Sequence, residues 1–131
     1  MAIEYEIIED KRLVLAKGSG VVTGEDVIRH LDNLAADERY IAPMKKLVDY
    51  RYIESIKITK EEAGRIAEKK EMMSRKYPGE KCAFISPADL TYGTARVHQA
   101  LVEGADINME VFRSIEDALE WLEIELDIIP E

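Results

Sequence analysis

Cysteine is nearly missing from this chain: Cys82 stands alone among 131 residues. No internal disulfide can form, and such cysteine usage suits a reducing compartment. Histidine is almost as scarce. His30 and His98 are the only two, remote in sequence, and neither has a metal-ligand residue four positions on. A metal site needs several convergent N, S or O donors, so no metal and no cofactor are expected. Positive charge is in deficit as well, with 18 Lys and Arg against 27 Asp and Glu, a formal net charge of −9. Nucleic acid is excluded as a partner on that balance, because binding phosphates takes a concentrated basic face. Lys57, Lys60, Lys69, Lys70, Arg75 and Lys76 do cluster, but Glu61, Glu62, Glu68 and Glu71 interrupt them. That pattern reads as a solvated, ion-paired helix surface.

Long apolar runs are also lacking, so no membrane span of about 20 residues is expected. The start, Met1-Ala2-Ile3-Glu4-Tyr5-Glu6, has neither the basic beginning nor the apolar centre of a secretory signal. A cytoplasmic protein is expected. No G-x-S-x-G elbow is present, and no nucleophile, base and orienting acid can be assembled. The expectation is a protein that is not an enzyme.

What is present is a composition of 47% hydrophobic and 34% charged residues, which marks a globular chain. Its length predicts one domain over residues 1–131. Four Ser/Thr-x-x-Asp/Glu boxes divide it: Thr23–Asp26, Thr59–Glu62, Ser86–Asp89 and Ser114–Asp117. In such a box the hydroxyl accepts from the N–H three residues on, and the acid reaches back to the capping residue's own N–H. Each precedes apolar residues spaced for a helix.

Ile3, Tyr5 and Ile7 alternate with Glu4 and Glu6, as in a half-exposed strand. A turn at residues 9–11 leads to a second strand over 12–16, necessarily antiparallel to the first. Val27, Ile28, Leu31, Leu34 and Ala35 form the apolar stripe of a first helix, which fades near Asp37. Residues 46–50 form a strand, and a connection through Ile53 and Ile56 leads to the longest helix. That helix carries Ala63, Ile66, Ala67 and Met73 inward and stops at Pro78-Gly79. Residues 81–85 read as a buried strand. Ser86-Pro87 opens a third helix ending at Gly104, residues 107–112 form the last strand, and Ser114 caps a final helix. The order is β-β-α-β-α-β-α-β-α: an α/β fold with a mixed, mostly parallel sheet and an N-terminal antiparallel hairpin.

Several local stretches carry a resemblance. They are Gly20-Val21-Val22-Thr23-Gly24-Glu25-Asp26, Lys46-Leu47-Val48-Asp49, and Ala83-Phe84-Ile85-Ser86-Pro87-Ala88-Asp89-Leu90 with Tyr92-Gly93 and Ala95-Arg96. The segment from Val111 to Leu122 completes them. In this order they resemble the SpoIIAA-like branch of the STAS superfamily, the anti-sigma-factor-antagonist fold, over nearly the whole chain. The resemblance implies a bacterial, non-enzymatic STAS-like domain whose work is regulation or protein interaction. In the best-known members a Ser opening the second helix is phosphorylated by a partner kinase. Only Thr59 offers a hydroxyl at the matching place here, with no Ser-Gly element beside it. Thr59 therefore reads as a plain helix cap.

Gly18-Ser19-Gly20-Val21-Val22-Thr23-Gly24 imitates a dinucleotide fingerprint, but its third Gly falls one place late and the strand before it belongs to a hairpin. A flexible turn before a capped helix is expected instead. Open α/β sheets bind ligands in the crevice beyond the carboxyl ends of their strands. Asp49, Tyr50, Arg51, Ser86, Asp89, Arg113 and Ser114 are expected near that edge. Tyr92 and Arg96 share a helix face beside it. The candidate surface for a partner or ligand is thus Asp49, Arg51, Thr59, Ser86, Asp89, Tyr92 and Arg96. The leading expectation is a protein partner, with a homodimer possible. The alternative is a small-ligand binder, for a lipid or a nucleotide, using the crevice.

Overall fold

The computed structural model describes residues 2–41, 43–76, 79–86 and 108–126. Strand β1 (Ile3–Ile8) passes through a short 3-10 turn into β2 (Leu13–Thr23), and the two pair antiparallel with Ile3 opposite Gly18. Helix α1 (Gly24–Ala36) leads to β3 (Lys45–Lys57), and α2 (Lys60–Lys76) leads to β4 (Lys81–Ile85). Strand β5 (Asn108–Phe112) and helix α3 (Ile115–Leu122) follow. Among the described residues the strands make one sheet in the order β1-β2-β3-β4-β5, parallel from β2 onward. The mixed α/β architecture expected from the sequence is the one observed. The helix expected after Ser86 lies outside the described residues.

Strand order explains the layering. Right-handed crossovers that always step the same way along a sheet place their helices on one face. Accordingly α1 and α2 share a face, where Val27, Leu31 and Ile66 meet Val48, Tyr50 and Phe84. On the opposite face α3 packs Ile115, Ala118, Leu119 and Leu122 against Leu47, Ala83 and Ile85. With helices on both sides, β4 is buried along almost its whole length, which is why it reads as an unbroken apolar run. The carbonyls ending α3 are met by two lysines from the sheet: Lys45 Nζ donates to the Leu122 carbonyl and Lys81 Nζ to the Trp121 carbonyl.

Two expected boundaries are corrected. The glycine-rich stretch after Ala16 is not a turn: β2 continues through it to Thr23, and β3 runs past Tyr50 to Lys57. The glycines serve irregular pairing instead. Register shifts fall between Lys17 and Ser19 and between Gly20 and Val21, and Gly20 takes a φ of +65° there. Gly18 lets the ring of Tyr50 approach, since a Cβ would sit 2.8 Å from Tyr50 Cδ1. Ile53, expected in a connection, is a buried strand residue. The outcome is a long two-stranded ribbon. β2 and β3 pair as far as Thr23 and Lys57, whereas β3 pairs with β4 only over Lys46 to Asp49.

Two capping boxes form in full, and a third helix start keeps the hydroxyl cap alone. Thr23 Oγ1 accepts from Asp26 N at 3.2 Å, and Asp26 Oδ2 accepts from Thr23 N at 2.9 Å. Thr59 Oγ1 accepts from Glu62 N at 3.1 Å, and Glu62 Oε1 accepts from Thr59 N at 2.9 Å. Ser114 Oγ accepts from Asp117 N at 3.2 Å. The fourth box depends on Asp89, outside the described residues.

Candidate functional site

The ribbon divides the surface expected from the sequence. Asp49 pairs in register with Ile85, and Ser86 N donates to the Phe112 carbonyl at 2.9 Å, so Asp49, Arg51 and Ser86 do gather at one sheet edge with Arg113 and Ser114. Thr59 does not join them. Eight further residues of strand separate Asp49 from Lys57, roughly 25 Å at the usual rise per residue. Thr59 instead lies at the ribbon's tip, where Lys57 pairs with Thr23 and the first two capping boxes stand side by side. Glu62 packs there against Gly24, whose added Cβ would fall 2.5 Å from Glu62 Cδ. Asp89, Tyr92 and Arg96 lie outside the described residues.

At the shared edge Asp49 is only 1% exposed. A buried carboxylate needs a full set of donors. Arg51 supplies three: its backbone N and Nε reach Oδ1, both at 3.0 Å, and its terminal nitrogen reaches Oδ2 at 2.8 Å. Hydrogen bonding to Asp49 in turn raises the pKa of the guanidinium, against the opposing effect of its partial burial. Arg51 is thereby held rigidly, with its plane 5.3 Å from the Tyr52 ring centroid. Lys17 Nζ lies 4.6 Å from the same ring, and Tyr52 itself is 46% exposed. Cation–π contacts from two neighbouring side chains restrain an aromatic ring that would otherwise rotate more freely in water. Ser86 is fully buried, and its Oγ has no partner among the described residues.

A second constellation lies beneath α1 and α2, and sequence reasoning missed it. A cavity of about 60 Å³ is walled by Leu34, Val48, Met73 and Phe84. Six polar side chains line it: His30, Lys46, Tyr50, Lys70, Glu80 and Cys82. Glu80 is well satisfied, accepting from Tyr40 Oη at 2.5 and 2.7 Å, from Met44 N at 2.7 Å and from Lys46 Nζ at 3.2 Å. His30 is not: its Nδ1 is buried and has no partner among the described residues. Burial, with the charges of Lys70 and Lys46 added, lowers the His30 pKa to about 4, so the ring is neutral at neutral pH. Burial also lowers the pKa of Lys70, and raises that of the Tyr50 hydroxyl.

Lys70 corrects an expectation. The charge pattern places it on a solvated helix surface, yet its Nζ lies 4.7 Å from the Phe84 ring centroid and 3.9 Å from Met109 Sδ. The signal that would have found it is its place four residues after Ile66 and three before Met73, on the apolar stripe of α2. His30 follows the same rule, between Val27 and Leu34 on α1. Among the described residues no group of three or more His, Cys, Asp and Glu is placed to hold a metal. Among the same residues no helix is long and apolar enough to cross a membrane.

Neither a known family nor a curated protein matches this sequence. A solved structure does: an uncharacterized protein of the DUF3478 family with a SpoIIAA-like fold from Shewanella loihica. It is similar over 92% of both chains with 22% sequence identity and a TM-score of 0.54. This chain has a SpoIIAA-like fold.

Proposed function

We propose that this STAS-like domain is a non-enzymatic interaction module, and that its partner is a protein seated over Tyr52. The observation that carries this reading is the exposed Tyr52 ring with two cations, Lys17 and Arg51, in contact with it. Tyr and Arg are the residue types that dominate binding energy at protein interfaces, and a side chain already held in place loses little entropy on docking. The sheet supports the same reading, because α3 packs on β4 and its neighbours β3 and β5 rather than on the β1–β2 edge beside this patch. Two cations around one ring, in a chain of net charge −9, suit a partner presenting carboxylates beside an apolar side chain. A lipid or nucleotide in the carboxyl-end crevice draws less support, since Asp49 and Ser86 at that edge are buried.

A photoreactive phenylalanine analogue placed at position 52 in the native cell tests this. The same analogue at exposed Met72 on α2 is the control. The expected result is one discrete protein adduct at 52, absent at 72 and lost when Lys17→Glu is added. An adduct of twice the chain's mass identifies the partner as a second copy. No adduct, or the same adducts from both positions, overturns the reading.

A further inference from the structure

The cavity under α1 and α2 carries an inference independent of the Tyr52 surface. Its ionised lining does not balance. With both lysines protonated, Lys46 and Lys70 bring two positive charges against one negative charge on Glu80 and a neutral His30, and burial works against the protonated form of Lys70. Glu80 cannot serve both lysines well. Its oxygens already accept from Tyr40, Met44 and Lys46, whereas Lys70 meets only a ring face and a thioether and has no carboxylate partner among the described residues. A partly desolvated ammonium without a counter-charge is a costly arrangement, and an anion beside Lys70 would relieve that cost and hold it protonated.

The unpartnered nitrogen of His30 opens on the same space. A neutral imidazole offers one N–H, and either ring nitrogen can carry it. Tyr50 and Cys82 add an O–H and an S–H to the lining. The cavity therefore offers one unneutralised ammonium, several hydrogen-bond donors and apolar walls. Its volume of about 60 Å³ exceeds what a single water needs. It is well below the roughly 150 Å³ that accepts benzene in an engineered apolar cavity. An acyl chain or a nucleotide does not fit without parting the helices from the sheet.

We propose that this cavity is a binding site for one compact monoanion of the carboxylate class, held by Lys70 and His30 with Lys46 alongside. The charge excess selects an anion, and the volume selects a small one. Bound there, the anion would tie α1 and α2 to the sheet through the two residues that interrupt their apolar stripes.

Thermal unfolding and calorimetric titration of the full chain at about pH 7.5, above the ordinary range for histidine, test the site. The probes are sodium formate and sodium acetate against sodium chloride at equal ionic strength. The expected result is a saturable rise in melting temperature with formate or acetate and not with chloride. Lys70→Met should weaken apparent binding about tenfold or more, while Lys69→Met, which removes only the surface pair with Asp32, leaves it unchanged. His30→Leu is a second variant that should also weaken binding, should Lys70→Met fold poorly. A response to carboxylates no different from chloride overturns the carboxylate assignment, and no saturable response to any of the three salts shows a pocket that holds only water. An equal response in Lys70→Met and His30→Leu overturns it too. Octanoate binding more tightly than acetate overturns the compact-anion assignment. None of these outcomes bears on cross-linking at Tyr52.

Discussion

Acid should weaken this protein through His30, and the effect can be isolated. In the unfolded chain the imidazole takes a proton at its ordinary value of 6.5, whereas in the fold it does so only at about 4. Between those values the unfolded state binds the extra proton, so stability falls as pH drops from about 6.5 to about 4 and is level on either side. The gap corresponds to about 3 kcal/mol in full, and to about 2 kcal/mol already at pH 5. Its cause is structural. The ring packs edge-on against Tyr5 at 5.4 Å and opens on a cavity lined by Lys46, Lys70, Tyr50 and Glu80. Only one of those groups is a carboxylate, and it is engaged by Lys46. Urea denaturation of wild type and His30→Leu at pH 7 and pH 5 measures the effect. Carboxylates elsewhere titrate equally in both proteins, so their contribution cancels in the difference. Wild type should lose about 2 kcal/mol more than His30→Leu between the two pH values. At pH 7 the variant should be as stable as wild type or slightly more so, since it removes a buried nitrogen without a partner. Equal losses in the two proteins would show that His30 is solvated and refute the reasoning.

Gly24→Ala, which helix propensity alone favours by up to about 1 kcal/mol, should instead destabilise by about 1 kcal/mol in the same assay. The new methyl would lie 2.7 Å from Glu62 Cβ and force apart the second capping box, so a stabilised variant would refute the packing described for the ribbon tip. Thr23→Ala, Thr59→Ala and Ser114→Ala should each cost about 1 kcal/mol by leaving helix-start N–H groups unpaired, and three variants within error of wild type would refute the caps. Phosphoproteomics on the endogenous protein should find Thr59 unmodified, because its hydroxyl is bonded into the cap and Glu61 and Glu62 occupy the same turn. Substantial occupancy there would restore a phosphorylation switch.

Much of the fold is written in short-range chemistry. The boxes at Thr23, Thr59 and Ser114 place three helix starts because a cap depends only on residues three apart. The apolar run at residues 81–85 marks β4 to the residue, since a strand buried on both faces tolerates no polar alternation. The glycines of residues 18–20 mislead for the complementary reason. Glycine signals an unusual backbone, but a turn and a bulge demand the same freedom, and only the partner strand distinguishes them. Here β3 extends to pair with β2, and that long-range choice carries Thr59 away from Asp49 and Ser86.

The sequence by itself determined the class, the order of the described elements and their helix starts, because periodicity and capping act within a few residues. Tertiary structure alone decided the strand order, the ribbon and the cation contacts on Tyr52, since pairing joins segments that carry no local mark of one another. It alone turned Lys70 and His30 inward as well. A charged or polar residue on an apolar stripe can reach along the surface to water or can be enclosed, and the pattern is identical in both cases. What encloses them is the meeting of two helices with the same sheet face, which no window of sequence contains.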